Sequence, residues 1–388
     1  DDVPALEAAR DRTSWRRDPA QIRGWLVIST ALAFFLYRYA TYHQRNVRKL
    51  KHLHAMLVAV LLAVLGLAAG LMWLFGQVTT GLPSPYGDLE RYVPLVPIGT
   101  GAVLIALLAN GRIAIVHAAF VAALFGAMNG WSLHASIWSL LVQWGGVYAV
   151  TTYRDRFSLL RAGLVAGSVG AVAYVAIEAI RTGFGEPYGP LYGAGLAFLG
   201  GAVGCGLLVS FTLPILEGMF HVLTEIRLLE LSNLDNPLLS QLAVKAPGSY
   251  NHSLVVGTLA EEGAKSIGAN SLFCRVAAFY HDVGKLLKPE YFVENQRGQN
   301  PHDRLQPSMS ALIIASHVKD GIKMAREAGL PEQIVDIIPQ HHGTKLMTFF
   351  YEKAKKSADP SLGPVKEEDF RYPGPKPQTR EAAIYMLA

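Results

Sequence analysis

Long apolar runs fill most of the chain between residues 24 and 221. A helix needs about 20 apolar residues to cross the hydrocarbon core of a bilayer. Seven stretches reach or approach that length: 24–42, 54–76, 93–109, 112–128, 133–151, 160–181 and 191–221. Lipid offers no partner to a free backbone amide, so such runs are expected to be helices. They lack the polar face that a helix on the surface of a soluble core would carry. Composition agrees, with 51% hydrophobic residues and only 17% charged ones. Soluble domains hold about 25% charged residues. The deficit lies upstream of residue 222, and the remainder has the charge pattern of a soluble domain. The expectation is a membrane unit followed by a soluble unit.

The third and fourth runs are joined by Asn110-Gly111-Arg112, which suits a tight helical hairpin. Lys and Arg in short loops set orientation. The first loop holds Arg45, Arg48, Lys49 and Lys51, the third Arg112, and the fifth Arg154 and Arg156 with Arg161 just beyond. The alternate loops hold only Arg91 and Arg181. The first, third and fifth loops are therefore expected in the cytoplasm, with the N-terminus outside and the soluble unit inside. Arg16, Arg17 and Arg23 oppose this assignment, and a translocated upstream domain would override them. The net charge of +5 is accounted for by these loops rather than by a nucleic-acid polymer as partner. Glu178 and Glu217 are carboxylates near span ends, where a functional role competes with snorkelling. Gly163 and Gly167, with Gly200 and Gly204, have the spacing of close helix packing and leave room for a homodimer. Pro214 is expected to kink the last span. From Met219 to Leu231 the pattern turns amphipathic and predicts a stalk helix into the soluble unit. Cys205 and Cys274 lie in apolar helices and read as reduced, buried thiols.

The soluble unit reads as helices with little sign of a strand. Pro247-Gly248-Ser249 is expected to be a turn before a helix over 251–267, with His252 in its first turn. Asn270 or Ser271 caps a helix over 271–282 that ends on His281 and Asp282, before Gly284. Pro307 opens a helix that carries His317 and stops at Gly329. Pro331 opens another that delivers His341 and His342 and stops at Gly343. Ligands from four helices suit the core of an all-α bundle. They do not suit a zinc finger, which needs short paired spacings. Imidazole and carboxylate without thiolate favour Mn, Fe, Zn or similar divalent ions. One carboxylate among many imidazoles points to Asp282 as a bridge between two ions. Such a pair of ions supports in-line displacement at phosphorus.

His281-Asp282-Val283-Gly284-Lys285 is the HD signature, and the chain resembles the HD-domain phosphohydrolases. The runs 248–270, 300–321, 339–344 and 372–388 extend the resemblance to the seven-transmembrane HD proteins of the PgpH type. Those are bacterial cyclic-di-AMP phosphodiesterases of the cell membrane. The resemblance implies that His252, His281 and Asp282 hold one ion. It implies that Asp282, His317, His341 and His342 hold the other, with Mn or Fe as the metals. It places a further ligand Asp directly after Met386-Leu387-Ala388, so the chain is expected to be a fragment, truncated at its C-terminus. A large extracellular sensor domain is likewise expected upstream. Lys285 is expected to neutralise a phosphate oxygen. His302, Asp303, Lys319 and Tyr372 are expected substrate contacts.

The expected architecture is all-α: a seven-span helical bundle followed by a cytoplasmic HD domain. Residues 1–23 are a juxtamembrane remnant, 24–221 the spans, 222–247 a stalk or linker, and 248–388 the HD domain. The expected activity is hydrolysis of cyclic-di-AMP to linear pApA. The alternatives are a cyclic-di-GMP or other nucleotide phosphohydrolase, and a membrane receptor that binds nucleotide without cleaving it. No GYP motif, the mark of the cyclic-di-GMP relatives, follows the HD run. Sparse intramembrane charge speaks against transport.

Overall fold

The computed structural model describes residues 53–83, 86–152, 158–182, 188–357 and 364–387, with residues 31, 34, 35, 38 and 39. Apart from those five, the first expected span lies outside the described residues, as do the basic loops at 45–51 and 154–156 and Arg16, Arg17 and Arg23. The chain divides into two compact units after Val222.

The first unit holds α1 (Leu53–Thr79), α2 (Gly99–Leu108) after a 3-10 turn at Leu89–Leu95, α3 (Gly111–Met128) and α4 (Leu133–Thr152). Helix α5 (Ser158–Thr182) follows, then α6 (Tyr188–Leu199), a π-turn at Gly200–Cys205 and α7 (Gly206–Phe220). Among the described residues, five helical segments are long and apolar enough to cross a membrane: Leu53–Thr79, Leu89–Leu108, Gly111–Met128, Ser158–Thr182 and Tyr188–Phe220. Helix α4 is not one of the five. Its Ser139 and Gln143 lower its hydropathy, yet both are buried. Gln143 Nε2 donates to the Ala118 carbonyl at 3.2 Å, and Trp138 Nε1 donates to the Gly170 carbonyl at 3.0 Å.

Local chemistry explains the turns. Asn110 caps α3 by accepting from the Ile113 amide at 2.9 Å, which closes the expected hairpin. Gly163 and Gly167 on α5 lie directly against the backbone of residues 198–206, where a β-carbon would overlap it. The small-residue spacing is thus used inside this chain and gives no support to a second copy. Glu178 is paired with Arg181 on its own helix at 2.7 Å. Helix α7 runs unbroken through Pro214.

The expected stalk helix over Met219–Leu231 is interrupted. His221 adopts a left-handed conformation (φ 52°) that ends α7. Thr224 then caps a new helix, α8 (Glu225–Leu231), accepting from the Arg227 amide at 3.2 Å. The amphipathic period continues across both helices, which is why it concealed the break.

The second unit continues with α9 (Pro237–Lys245), α10 (Pro247–Ser266), α11 (Ser271–Tyr280), α12 (Pro307–Glu327), α13 (Glu332–Val335), α14 (Ile337–Gln340), α15 (Thr348–Lys356) and α16 (Arg380–Leu387). No strand occurs among the described residues, and Leu346 and Arg371 form one isolated antiparallel bridge. The core joins Leu228, Leu231, Leu239 and Leu242 to Phe279, Tyr280, Ile334 and Ile338. Burying each such side chain contributes about 1.5–3 kcal/mol. The segment expected to be a linker, 222–247, is therefore part of this core. Its tie to α11 includes a buried hydrogen bond from the Tyr280 hydroxyl to the Leu231 carbonyl at 2.8 Å.

Candidate metal centre

The centre begins at the end of α11. Asn270 caps that helix through the Phe273 amide at 3.0 Å, and its apolar face is buried through Tyr280. The helix ends at Tyr280 with His281 as its C-cap in helical dihedrals, two residues short of the expected end, so Asp282 falls outside it. Asp282 (φ −110°, ψ 14°) turns the chain into a 3-10 segment over Val283–Leu287. Gly284 lets that turn press against α12: a β-carbon there would overlap the His317 carbonyl and the Gly321 amide. A glycine is required by this approach, and it brings Asp282 onto the helix that carries His317.

Three histidines are held alike. Nδ1 of His281, His317 and His341 each lies 2.6 Å from the carbonyl three residues earlier, at Ala278, Ile314 and Ile338. A carbonyl can only accept, so each Nδ1 donates and each Nε2 keeps its lone pair. Those lone pairs converge on Asp282. Nε2 of His281 is 3.2 Å and Nε2 of His252 is 3.8 Å from Oδ2. Nε2 of His317 and His341 are 3.5 and 3.6 Å from Oδ1. His342 packs on His341, with ring centroids 3.9 Å apart, and stacks on Tyr372 at 4.1 Å.

Asp282 is 1% exposed; its Oδ1 lacks a hydrogen-bond partner, as do Nε2 of His317 and of His341, while Oδ2 faces the Lys285 ammonium at 2.7 Å. Orphaned buried acceptors are costly unless something fills the gap. The ligand atoms of Asp282, His317, His341 and His342 lie within 4.8 Å of one another, and so do those of His252, His281 and Asp282. The donor set and its unmet acceptors fit two divalent cations that share Asp282.

Electrostatics point the same way. Burial alone would raise the Asp282 carboxyl, but His281 and Lys285 beside it hold it well below the usual carboxylate range. Burial pushes His317, His341 and His252 below the ordinary imidazole value, and His342 down to about 3. A neutral imidazole and an ionised carboxylate are the forms that bind metal.

Lys285 is buried, not solvated at a helix end. Its ammonium is 2.7 Å from Asp282 Oδ2, an ion pair off the line of a hydrogen bond, and donates to Glu294 Oε1 at 2.8 Å. Held between two carboxylates, it acts on the centre through Asp282. Burial opposes its charge, and the two carboxylates more than offset this, so its pKa is raised.

The structure gathers some expected residues and separates others. His252 lies in the second turn of α10, because Pro247, at the first helical position, starts the helix four residues early. His341 and His342 follow two short helices broken at Asp336, not one continuous helix from Pro331. Tyr372 reaches His342 because residues 344–347 pair with 370–372, including a Tyr372 amide to Lys345 carbonyl bond at 3.1 Å. Lys319 is exposed two residues after His317, which places it about 200° around α12 from that ligand. His302 is buried beside the Tyr291 and Phe350 rings and meets the Tyr291 carbonyl through Nε2 at 2.9 Å; Asp303 is exposed. Neither belongs to the two ligand groups. Residues that sequence reasoning missed are Glu294, Ser249, Asn295 and Phe292. Phe292 sets its ring 5.6 Å from His317 and 5.0 Å from the Lys285 ammonium.

The family model described as "7TM receptor with intracellular HD hydrolase" matches residues 20–224. The chain belongs to this family. The HD domain model matches residues 249–388, which include every candidate ligand from His252 to His342. Among its relatives, the chain is 37% identical over 371 residues to the cyclic-di-AMP phosphodiesterase PgpH of Listeria monocytogenes, covering 95% of this chain and 50% of that protein. It is 40% identical over 304 residues to the protein of the same name from Bacillus subtilis, covering 76% and 42%. The chain thus spans about half the length of the curated relatives it matches. A crystal structure of the Listeria monocytogenes PgpH HD domain in complex with cyclic-di-AMP is 55% identical, covering 40% of this chain and 72% of that one, with a TM-score of 0.38.

Proposed function

We propose that this chain is a membrane-bound, metal-dependent phosphodiesterase that cleaves cyclic-di-AMP to linear pApA. The observation that carries the reading is the pair of ligand groups sharing buried Asp282 within the matched HD domain. The substrate is supported by the two relatives named cyclic-di-AMP phosphodiesterase. His252, His281 and Asp282 would hold one ion, and Asp282, His317, His341 and His342 the other. The all-nitrogen-and-oxygen donor set supports Mn or Fe. When bound, two such ions supply the charge that activates water and stabilises an in-line displacement at phosphorus.

The protein's own part is orientation. The backbone carbonyls behind His281, His317 and His341 fix which nitrogen faces the centre. Lys285 keeps Asp282 ionised and aimed. Tyr372, stacked on His342, is the substrate contact best supported. Seven spans with the HD unit on the cytoplasmic side complete the reading, supported by the basic loops and the family description. A cyclic dinucleotide, not a nucleic-acid polymer, is the partner in this reading.

The test uses the full chain in lipid nanodiscs with Mn, offered cyclic-di-AMP, cyclic-di-GMP and a short single-stranded RNA. Conversion of the first to pApA, with the others turned over more slowly, is expected. Two bound ions without turnover of any cyclic dinucleotide would overturn the enzyme reading. Orientation is read separately from Val244→Cys, at a position 81% exposed, since both native thiols are buried. Labelling of that thiol by an impermeant reagent in intact cells would refute the cytoplasmic placement.

A further inference from the structure

We infer that Glu294 is a positioning residue of the metal centre, joining the two ligands that come from different elements, Asp282 and His252. The inference rests on the two-ion reading above. Glu294 lies in a short 3-10 turn, Val293–Asn295, outside the HD signature and outside both ligand groups.

One oxygen of Glu294 makes both connections. Oε1 accepts from Lys285 Nζ at 2.8 Å and from Ser249 Oγ at 2.8 Å. Lys285 in turn stands 2.7 Å from Asp282 Oδ2. Ser249 is the third residue of α10 and precedes His252 by three positions, close to one helical turn. The neighbouring Asn295 closes the joint: its Oδ1 accepts from the Ser249 amide at 3.1 Å, and its Nδ2 donates to Ser249 Oγ at 2.8 Å. Gly248 lets α10 start against this turn, because a β-carbon there would overlap the Glu294 carbonyl. The start of the His252 helix and the ammonium behind Asp282 are thus fastened to one carboxylate.

Two physical consequences follow. His252 is the exposed member of its ligand group, and its Nε2 is the more distant from Asp282 Oδ2, at 3.8 Å against 3.2 Å for His281. Its placement depends on where α10 begins. Lys285 is also a potential competitor. A buried ammonium paired with Asp282 alone would hold Oδ2 against an incoming cation. Glu294 draws that ammonium from the far side, so Oδ2 stays oriented and still available to metal.

The test measures Mn(II) binding to the full chain in nanodiscs without nucleotide, by calorimetry and electron paramagnetic resonance. Glu294→Gln keeps size and an acceptor for Ser249 but loses the charge. It is expected to weaken the ion at His252, His281 and Asp282 by about 10–100-fold, the range for a lost partner behind a ligand. The ion at His317, His341 and His342 should be much less affected. Turnover lost at low Mn should return at saturating Mn, which a merely structural brace would not produce. Adding Lys285→Gln to Glu294→Gln should restore part of the Mn affinity, because the competing charge is gone. Ser249→Ala, a milder cut at the same joint, should weaken the same ion in the same direction. Wild-type Mn affinity in Glu294→Gln overturns the inference, as does equal weakening of both ions together with a lower melting temperature. Should Glu294→Gln fail to fold, wild-type affinity in Ser249→Ala overturns it. If the wild type binds two ions but cleaves no cyclic dinucleotide, the phosphodiesterase reading falls, and the Mn comparison still decides the role of Glu294.

Discussion

The α-carbon of Gly284 faces the carbonyl oxygen of His317 so closely that no side chain fits between them. The 3-10 turn that carries Lys285 and the helix that carries His317 meet backbone to backbone at this point. Gly284→Ala is therefore expected to destabilise the soluble unit by about 1–3 kcal/mol, as overpacking does. It should also lower metal content, since Asp282 moves with the turn. Thermal melting and elemental analysis of the purified protein check this, and wild-type values in both would refute the account.

Asp282 is the one carboxylate common to both ligand groups. Asp282→Asn keeps the shape and removes the charge. Bound metal should fall below one ion per chain at micromolar Mn. Turnover of cyclic-di-AMP should fall about a thousandfold, equivalent to ~4 kcal/mol of lost stabilisation. Initial rates and metal analysis on the same sample would show it.

Tyr372 and His342 are stacked, with ring planes 23° apart. Such contacts contribute about 0.5–1.5 kcal/mol beyond burial. Tyr372→Ala should loosen the ion at His317, His341 and His342 by about 2–12-fold through the freed imidazole. Tyr372→Phe keeps the stack and should bind Mn as the wild type does. Equal loss in both variants would mean that the hydroxyl, not the ring, matters.

Acid should undo the Glu294 joint. Burial would raise its carboxyl, but Lys285 beside it holds it below the usual glutamate value. The unfolded state therefore binds that proton more readily than the folded one. The stabilisation is present above the unfolded value and is lost as pH falls through the lower folded value. Denaturant titrations of wild type and Glu294→Gln should differ at neutral pH and converge on the acid side of pH 4.5. A constant difference across that range would show that ionisation of Glu294 does not contribute.

In the membrane unit the glycines are not equivalent. A β-carbon at Gly167 would meet the backbone of Phe198 and Ala202, whereas one at Gly70 would meet no neighbouring atom within 4 Å. Gly167→Val should cost about 1–3 kcal/mol of bundle stability and Gly70→Ala close to none. Melting in detergent compares the two.

Much of the site was legible because its chemistry is concentrated in a few residues. His281-Asp282, His341-His342 and the starts at Pro307 and Asn270 are short-range signals, and the five histidines and Asp282 come together although three of the expected helix boundaries shift. Glu294 was not legible. A glutamate in a polar turn is ordinary, and its partner Ser249 is 45 residues away in the chain. The direction of Lys319 was legible, since two residues along a helix point nearly opposite ways. The break between α7 and α8 was hidden because His221, not glycine, takes the left-handed position. The helix split at Asp336 was legible in principle, since Pro339 cannot donate to the Val335 carbonyl four residues earlier and its ring crowds it.

The lock between each Nδ1 and its own helix carbonyl has one more consequence. His281, His317 and His341 have given up ring rotation as a way to adjust to a cation. The bite of the centre is then set by the spacing of the backbones that carry the rings. Discrimination by ionic radius is thereby transferred from the ligands to the apolar packing beneath them. A methyl group gained or lost between α12 and α14, where Gly321 meets Ile338, should shift metal preference without touching a single donor atom.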